Sequence, residues 1–354
     1  MADVRLKKIS ELSDADWSLW INLQQRESVY ESPYFRPEFT RAVAAVRSDV
    51  EVAVLTEQGQ TIGYFPFQRG KFNLGKPVGG KLSDYHGAIL PAGTPFDARA
   101  FLSAAGLATW DFDHLVDPTG AFAPFTTTRE DSPQMDLSKG FAAYSRHRRE
   151  AKSDAVHRQG QKNRKLAREV GPLNFNYDSD DVEAYDLMRR WKSEQLIRTG
   201  LSDFFAFPWT LALVAKLREH RTADFSAPLT VLRAGNQIAA VTLSLRCRGV
   251  LHSWFTSYNP ELSAYSPGLA LFVLLAEQAE QLGIRTIDLG RGIERYKTSL
   301  ANAGAPVCEG SLSTPSLATL LRTTWRHTRD FVTRSPLAGS TKLLKPLRAW
   351  LAYH

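Results

Sequence analysis

Five residues between positions 288 and 297, Asp288, Arg291, Glu294, Tyr296 and Lys297, place two carboxylates, two cations and a phenol on one short stretch. Arginine holds a carboxylate or phosphate with two parallel N–H donors, and a positioned phenol or carboxylate can pass a proton in a reaction. Each residue also has a plainer reading. Asp288 can end a strand by bonding local backbone N–H groups, Tyr296 can pack half-exposed, and Lys297 can either contact phosphate or stay solvated. Glu294 stands in the same cluster as a candidate for contacting the second substrate. His252 is set in an aromatic, β-branched run and is either a base facing a cleft or a satisfied core histidine. Asp84, Tyr85 and His86, bracketed by Gly80 and Gly87, form a second polar constellation. They read as a loop that binds a substrate or as a turn in which Asp84 bonds its own backbone. Ser266-Pro267-Gly268 opens an apolar helical run. The amino end of a helix that follows a strand is an anion site, because free N–H groups and the helix dipole face the ligand, and Gly268 would let a diphosphate approach the backbone. The alternative there is a plain capped helix.

The elements that must position these residues occur twice. VAVLTEQGQTIGYFPFQRG at 52–70 and VLRAGNQIAAVTLSLRCRG at 231–249 share one pattern of strand, glycine-containing turn, longer strand and Arg-Gly. Both predict β-hairpins turning at Gly59 and at Gly235-Asn236. Upstream, Ser13-Asp14 and Ser179-Asp180 each open an amphipathic helical stretch, with apolar residues recurring every three or four positions. A second helix follows in each half after an aromatic-proline segment, at 32–46 and 204–217. A third strand is expected at 249–258, then a helix from Pro267 that Gly283 stops, a short strand at 285–290 and a further helical stretch. Two α/β lobes follow, with a basic helical segment between them. The expected boundaries are a first lobe at 1–137, a linker at 138–170, a second lobe at 171–310 and a basic helical tail at 311–354.

With 354 residues the chain suits two domains of roughly 100 to 200 residues each. No apolar run approaches the roughly 20 residues of a membrane span, and the amino end lacks the apolar core of a signal peptide, so the chain reads as cytoplasmic. Cys247 and Cys308 are the only cysteines, in no metal-ligand spacing, so neither a disulfide framework nor a metal site is expected. The net charge is +7, and residues 139–168 alone hold ten Lys or Arg against two acidic residues, so the remainder is close to neutral. That run reads either as a solvated helix face or as a polyanion or phosphate contact.

RKLAREVGPLNF at 164–175, SYNPELSAYSPGLALF at 257–272, IDLGRGIERYKTSLAN at 287–302 and, in the first half, GKPVGGKLSDYHGAIL at 75–90 resemble the CelD/BcsL-like, or BioF2-like, acetyltransferase branch of the GNAT superfamily. The resemblance implies two tandem GNAT-like lobes in a FemAB-like arrangement, each a mixed, mostly antiparallel sheet flanked by helices. It implies acyl transfer from acyl-CoA, such as acetyl-CoA, to an amine or hydroxyl, in several relatives linked to bacterial surface polysaccharide or cellulose production. On that reading Ser266, Gly268, Arg291 and Lys297 hold the donor. Tyr296 protonates the leaving thiolate, with Asp288 and His252 as further catalytic candidates. Asp84, Tyr85, His86 and Glu294 contact the acceptor, a small molecule or saccharide. The ordinary pyrophosphate signature is reduced here to Ser266-Pro267-Gly268. Two rivals remain: a transferase using aminoacyl-tRNA, and a non-catalytic scaffold in a polysaccharide-synthesis complex.

Overall fold

The computed structural model describes residues 3–292 and 294–314. From the amino end run β1 (Asp3–Lys7), α1 (Asp14–Arg26), α2 (Pro37–Val46), β2 (Val50–Glu57), β3 (Gln60–Gly70), β4 (Leu74–Lys76), α3 (Ala98–Ala104), β5 (Thr109–Leu115) and β6 (Thr126–Asp136). Two helices follow, α4 (Gly140–Glu150) and α5 (Ala155–Glu169). The order then recurs as β7 (Leu173–Asn176), α6 (Val182–Arg198), α7 (Pro208–Arg218), β8 (Leu229–Ala234), β9 (Gln237–Cys247), β10 (Val250–Tyr258), α8 (Pro267–Glu277) and β11 (Thr286–Asp288). The second copy inserts α9 (Arg295–Leu300) before its last strand, β12 (Ala303–Ser313).

Local chemistry accounts for much of this. Ser13 caps α1 in a reciprocal box, its hydroxyl accepting from Asp16 N–H while the Asp16 carboxylate accepts from Ser13 N–H. In the second copy the cap is Asp181 rather than the expected Ser179-Asp180. Its carboxylate accepts from Ala184 N–H at 2.9 Å, and Ser179 supports it by accepting from Asp181 N–H. Pro37 and Pro208 occupy first helical positions, where a missing N–H costs nothing. Both hairpins turn as expected, with Gly59 and Gly235 at positive φ. The helix from Pro267 is shorter than expected, ending at Glu277, with turns carrying the chain to Gly283.

The chain forms two compact units. The first gathers the residues up to Arg129, Ser202–Leu213 and the described residues from Val307 on, and the second gathers Glu130–Leu201 and Val214–Pro306. In the first unit the strand order is β1-β2-β3-β4-β5-β12, and in the second it is β7-β8-β9-β10-β11-β6. The pairings match one for one: three antiparallel pairs, one parallel pair (β4 with β5, β10 with β11) and a closing antiparallel pair. The closing strand of each unit comes from the other half of the sequence. Residues from Cys308 of β12 pair with β5, and Gln134–Asp136 of β6 pair with β11.

This exchange moves the boundaries. The segment 138–170 is no linker but part of the second unit: Leu166 of α5 is fully buried, and the Tyr144 hydroxyl of α4 donates to Leu300 O at 2.7 Å. The second lobe does not reach residue 310, since it ends at Pro306 and β12 from Val307 to Ser313 belongs to the first unit, and the expected tail from residue 315 on lies outside the described residues. The strand AGAPVCEGSLS is rich in glycine and serine, so its sequence reads as loop; it is a strand because a partner edge is waiting. The first core collects Phe65, Phe101, Trp110 and Phe112 with Leu312 of β12. The second collects Leu251, Phe272, Ile287 and Leu300 with Met135 of β6.

Gly310 fixes β12 against the first unit, because a Cβ there would run into the Phe125 carbonyl and the Phe112 ring. Gly310→Ala is expected to lower stability by about 1–3 kcal/mol through overpacking, read as a fall in the urea midpoint at unchanged m-value. A wild-type midpoint would show that β12 does not take this place.

Candidate functional site

The site in the second unit starts where two parallel strands part. β10 and β11 pair at Val250–Thr286, Leu251–Ile287 and His252–Asp288, after which β11 ends and β10 continues to Tyr258. A bulge between Ser253 and Phe255 bends β10 at that point. Ser253 and Phe255–Tyr258 keep their pairing with β9, while no described strand pairs with them on the other side.

Asp288 ends β11. Its carboxylate, 1% exposed, accepts from Gly290 N–H, from the Ser132 hydroxyl and from the Gln134 side-chain amide, each at 2.8 Å. His252 Nδ1 lies 3.4 Å from the same carboxylate, and the ring is fully buried. Expected as catalytic groups, both instead serve the strand junction: Asp288 is occupied by three donors, and His252 does not face an open cleft. Ser132 and Gln134 were not foreseeable as its partners, since they lie more than 150 positions away.

Beyond Asp288 the chain is tied down through Gly290, Arg291, Gly292 and Glu294. Gly290 and Gly292 take φ of +73° and +133°, and a Cβ on Gly292 would collide with the Glu294 carboxylate. Lys297, 7% exposed, donates to Arg291 O at 2.8 Å and Gly290 O at 3.2 Å and lies 3.2 Å from Glu294. Arg291 Nε donates to Glu130 at 2.9 Å. The two cations expected to hold a donor anion therefore hold the loop instead, and Glu294 contributes its charge to Lys297.

The loop delivers Tyr296 at the start of α9. Its ring stacks 6.2 Å from Phe272 of α8, and the side chain stays 38% exposed. Its hydroxyl bonds to no described residue. Burial of the phenol, and secondarily the Glu294 carboxylate, push its pKa above the ordinary tyrosine value, so it remains a proton donor at neutral pH.

The start of α8 is the other wall. Ser266 is left-handed at φ +55°, and its carbonyl accepts from Leu269 and Ala270 N–H at 3.0 Å. Its hydroxyl does not cap the helix, as was expected, but accepts from Lys162 Nζ at 2.8 Å. Pro267 has no N–H, which leaves Gly268 with the first amide of the helix not turned back on Ser266. A Cβ on Gly268 would meet only Tyr258 at 3.6 Å, so packing does not demand glycine there. The cation at this terminus is Lys162. α5 is docked beside it by Gln159, which donates to Tyr265 O at 3.0 Å, and by Lys165 over the Tyr265 ring. The basic run signalled Lys162 in the sequence; its docking on α8 was not legible.

Asp84, Tyr85 and His86 belong to the first unit and do not form an exposed polar loop. Asp84 lies 3.7 Å from His114, while Tyr85 and His86 are 3% and 5% exposed. Among the described residues no cluster has the composition of a metal site, and no helix is long and apolar enough to cross a membrane.

Residues 155–298, which contain every element of this site but β6, match the family model described as acetyltransferase (GNAT) domain. No curated protein matches the chain. Among solved structures, it is similar to the C-terminal domain (DUF2156) of a putative lysylphosphatidylglycerol synthetase from Agrobacterium fabrum, at 13% identity and TM-score 0.49, covering 91% of this chain and 97% of that one. It is similar also to FemX, at 10% identity and TM-score 0.49, covering 77% and 89%. A tandem GNAT protein from the clavulanic acid biosynthesis pathway is similar at 11% identity and TM-score 0.48, covering 89% and 100%.

Lys297 offers a test of the loop. Lys297→Met is expected to cost about 1–3 kcal/mol in urea unfolding, because two loop carbonyls lose a buried donor. A lysine kept only for a ligand would leave the unfolding midpoint where it was.

Proposed function

We propose that this chain, an acyltransferase whose second unit is a GNAT acetyltransferase domain, moves an acyl group from acyl-CoA to an amine or hydroxyl. The observation that carries the reading is the parting of β10 and β11 after His252 and Asp288, beyond which β10 runs on to Tyr258 with no described strand on that side. An extended pantetheine arm can add there as a strand does. The amino end of α8, with Gly268 N–H and Lys162 beside Ser266, suits the pyrophosphate.

In the reaction the acceptor nitrogen or oxygen attacks the thioester carbonyl, and the tetrahedral adduct collapses by breaking the carbon–sulfur bond. Tyr296 donates its phenolic proton to the departing thiolate. The phenolate then regains a proton, through water, from the one the acceptor loses on acylation. With its pKa above the ordinary tyrosine value, Tyr296 carries that proton at neutral pH. Asp288, bonded to Ser132 and Gln134 of β6, ends β11 opposite His252 at the base of the cleft and serves as a positioning residue.

A saccharide or other small acceptor, a cytoplasmic setting and a role in surface polysaccharide or cellulose production belong to this proposal through the family resemblance of the motifs. A second reading, aminoacyl-tRNA as donor, is favoured by the exposed Arg146, Arg149, Arg158 and Arg164 of α4 and α5, none of which is paired with a described residue. Saturable tRNA binding that falls steeply with salt, in the absence of acyl-CoA binding, would select that reading. Binding of neither donor would select the scaffold.

Two variants test the main proposal. Tyr296→Phe should retain donor affinity and melting temperature while turnover falls about 100-fold to 10,000-fold, as for a lost general acid; near-normal turnover would remove Tyr296 from the mechanism. Lys162→Ala should weaken acyl-CoA binding about tenfold, the loss of one charge-assisted bond, with little change in stability. Calorimetric titration measures it, and an unchanged affinity would place the pyrophosphate elsewhere.

A further inference from the structure

The basic run 139–168 has more to do than supply Lys162. Of its ten cations Arg148 alone is buried, at 8% exposure, and no carboxylate among the described residues pairs with it. A guanidinium withdrawn from water without a counter-ion is costly unless other dipoles serve it. Here the dipoles are backbone carbonyls: Arg148 Nη2 donates to Thr298 O at 3.3 Å and to Ser299 O at 3.1 Å.

Both carbonyls belong to α9, the six-residue helix that carries Tyr296. A helix of fewer than two turns does not hold itself, because nucleation costs more than so few internal bonds return. Its last four carbonyls also lack partners within the helix. In α9 the chain meets one of them, Lys297 O accepting from Ala301 N–H at 2.8 Å. The others are met from α4 and the turn after it. Besides the two Arg148 bonds, Ser299 O accepts from the Ser153 hydroxyl at 2.8 Å and Leu300 O from the Tyr144 hydroxyl at 2.7 Å. Burial pushes the Tyr144 pKa up, so that phenol keeps the proton it donates. A positive charge at a helix carboxyl terminus is favourable besides.

Tyr296 lies between two anchors. Lys297 ties the chain before α9 through Gly290 O and Arg291 O, and the Arg148 group ties the end after it. Ser299 joins the second anchor to the tyrosine directly, since its hydroxyl donates to Tyr296 O at 2.8 Å. We propose that Arg148, with Tyr144 and Ser153, positions Tyr296 by fixing the carboxyl end of α9, so that α4 is a clamp on the phenol. As a role in catalysis this rests on Tyr296 being the general acid; the placement of the ring does not.

The test follows the Tyr296 ring resonances by NMR in the full-length chain labelled at tyrosine and assigned through Tyr296→Phe. Phe272→Leu marks where they fall once the stacked ring is gone. Arg148→Met, which keeps the aliphatic stem and loses the donor, is expected to move them toward that position with no ligand present. Arg148→Lys should bring them part of the way back, since both bonds come from one nitrogen. The rate of thiol release from acetyl-CoA, with water as acceptor, should fall about 10-fold to 100-fold in Arg148→Met while acetyl-CoA affinity stays within about twofold. Adding Arg148→Met to Tyr296→Phe should cost little more, because both act through one phenol. Resonances that stay at the wild-type position in Arg148→Met would overturn the proposal. A full additional loss in the double variant would too, as the mark of an arginine that only supports the fold. If Arg148→Met does not fold, Tyr144→Phe with Ser153→Ala removes two donors and leaves the guanidinium; unmoved resonances there overturn the clamp, and moved ones uphold it. Thiol release indifferent to Tyr296→Phe would overturn the catalytic role together with the general-acid reading, while the resonances, which need no substrate, still decide the placement.

Discussion

The structure depends on one buried carboxylate. Asp288 accepts from Gly290 N–H of its own loop and from Ser132 and Gln134 of β6, so it joins the second copy of the fold to a strand encoded before that copy begins. A buried carboxylate is costly unless it is fully bonded, and the three donors at 2.8 Å meet that demand. Their arrangement has consequences in both directions along the chain. β11 runs no further, because the Asp288 side chain accepts from Gly290 N–H and turns the chain there; β10 runs on alone, and the strands part. The same turn starts the Gly-Arg-Gly loop whose carbonyls Lys297 gathers, and that loop sets Tyr296 over Phe272. Cleft and phenol are thus placed by one residue that faces neither.

What was legible in the sequence was whatever short-range chemistry determines. The hairpins at Gly59 and Gly235, the Ser13 cap, the proline-led second helices and the apolar α8 all follow from signals spanning a few residues. The exchange of closing strands was not legible. β6 and β12 pair with partners far away in sequence, and neither carries the strong alternation of a strand with one solvated face; β12 is held in place by space, through Gly310, rather than by its own propensity. The basic run reads as a linker, because the buried positions of α5, Ala155, Val156, Gln159 and Leu166, form too thin an apolar stripe to announce a docked helix.

The candidate site shows the same division. Residue types were read correctly as capable of chemistry, yet charge in sequence does not say what a charge will meet. Lys297 and Arg291 find partners within the second unit first, at Gly290, Arg291, Glu294 and Glu130, so their charge is spent on loop geometry. Lys162, one of many cations in its run, is the one that a helix contact brings to an amino terminus. Three-dimensional neighbours, rather than residue type, separate the cation at a helix terminus from those tied into the loop.

The two parallel pairs of the duplicated fold are unequal, and the proposal of a donor cleft in the second unit follows from that difference. In the second unit β10 is nine residues long and outruns β11, leaving an edge. In the first unit the equivalent β4 is three residues long and pairs with β5 only at Leu74 and Gly75. The chain then turns through Gly79 and Gly80 and returns as the segment that contains His86. That segment bridges to Leu115 of β5 at His86 and to Tyr64 of β3 at Ile89, so the chain itself fills the space that stays open in the second unit. A backbone donor or acceptor already paired within the sheet cannot pair with a ligand arm. The edge that the proposed donor would use in the second unit is thus taken up by the chain in the first, and the segment that takes it up also buries His86 beside Thr40.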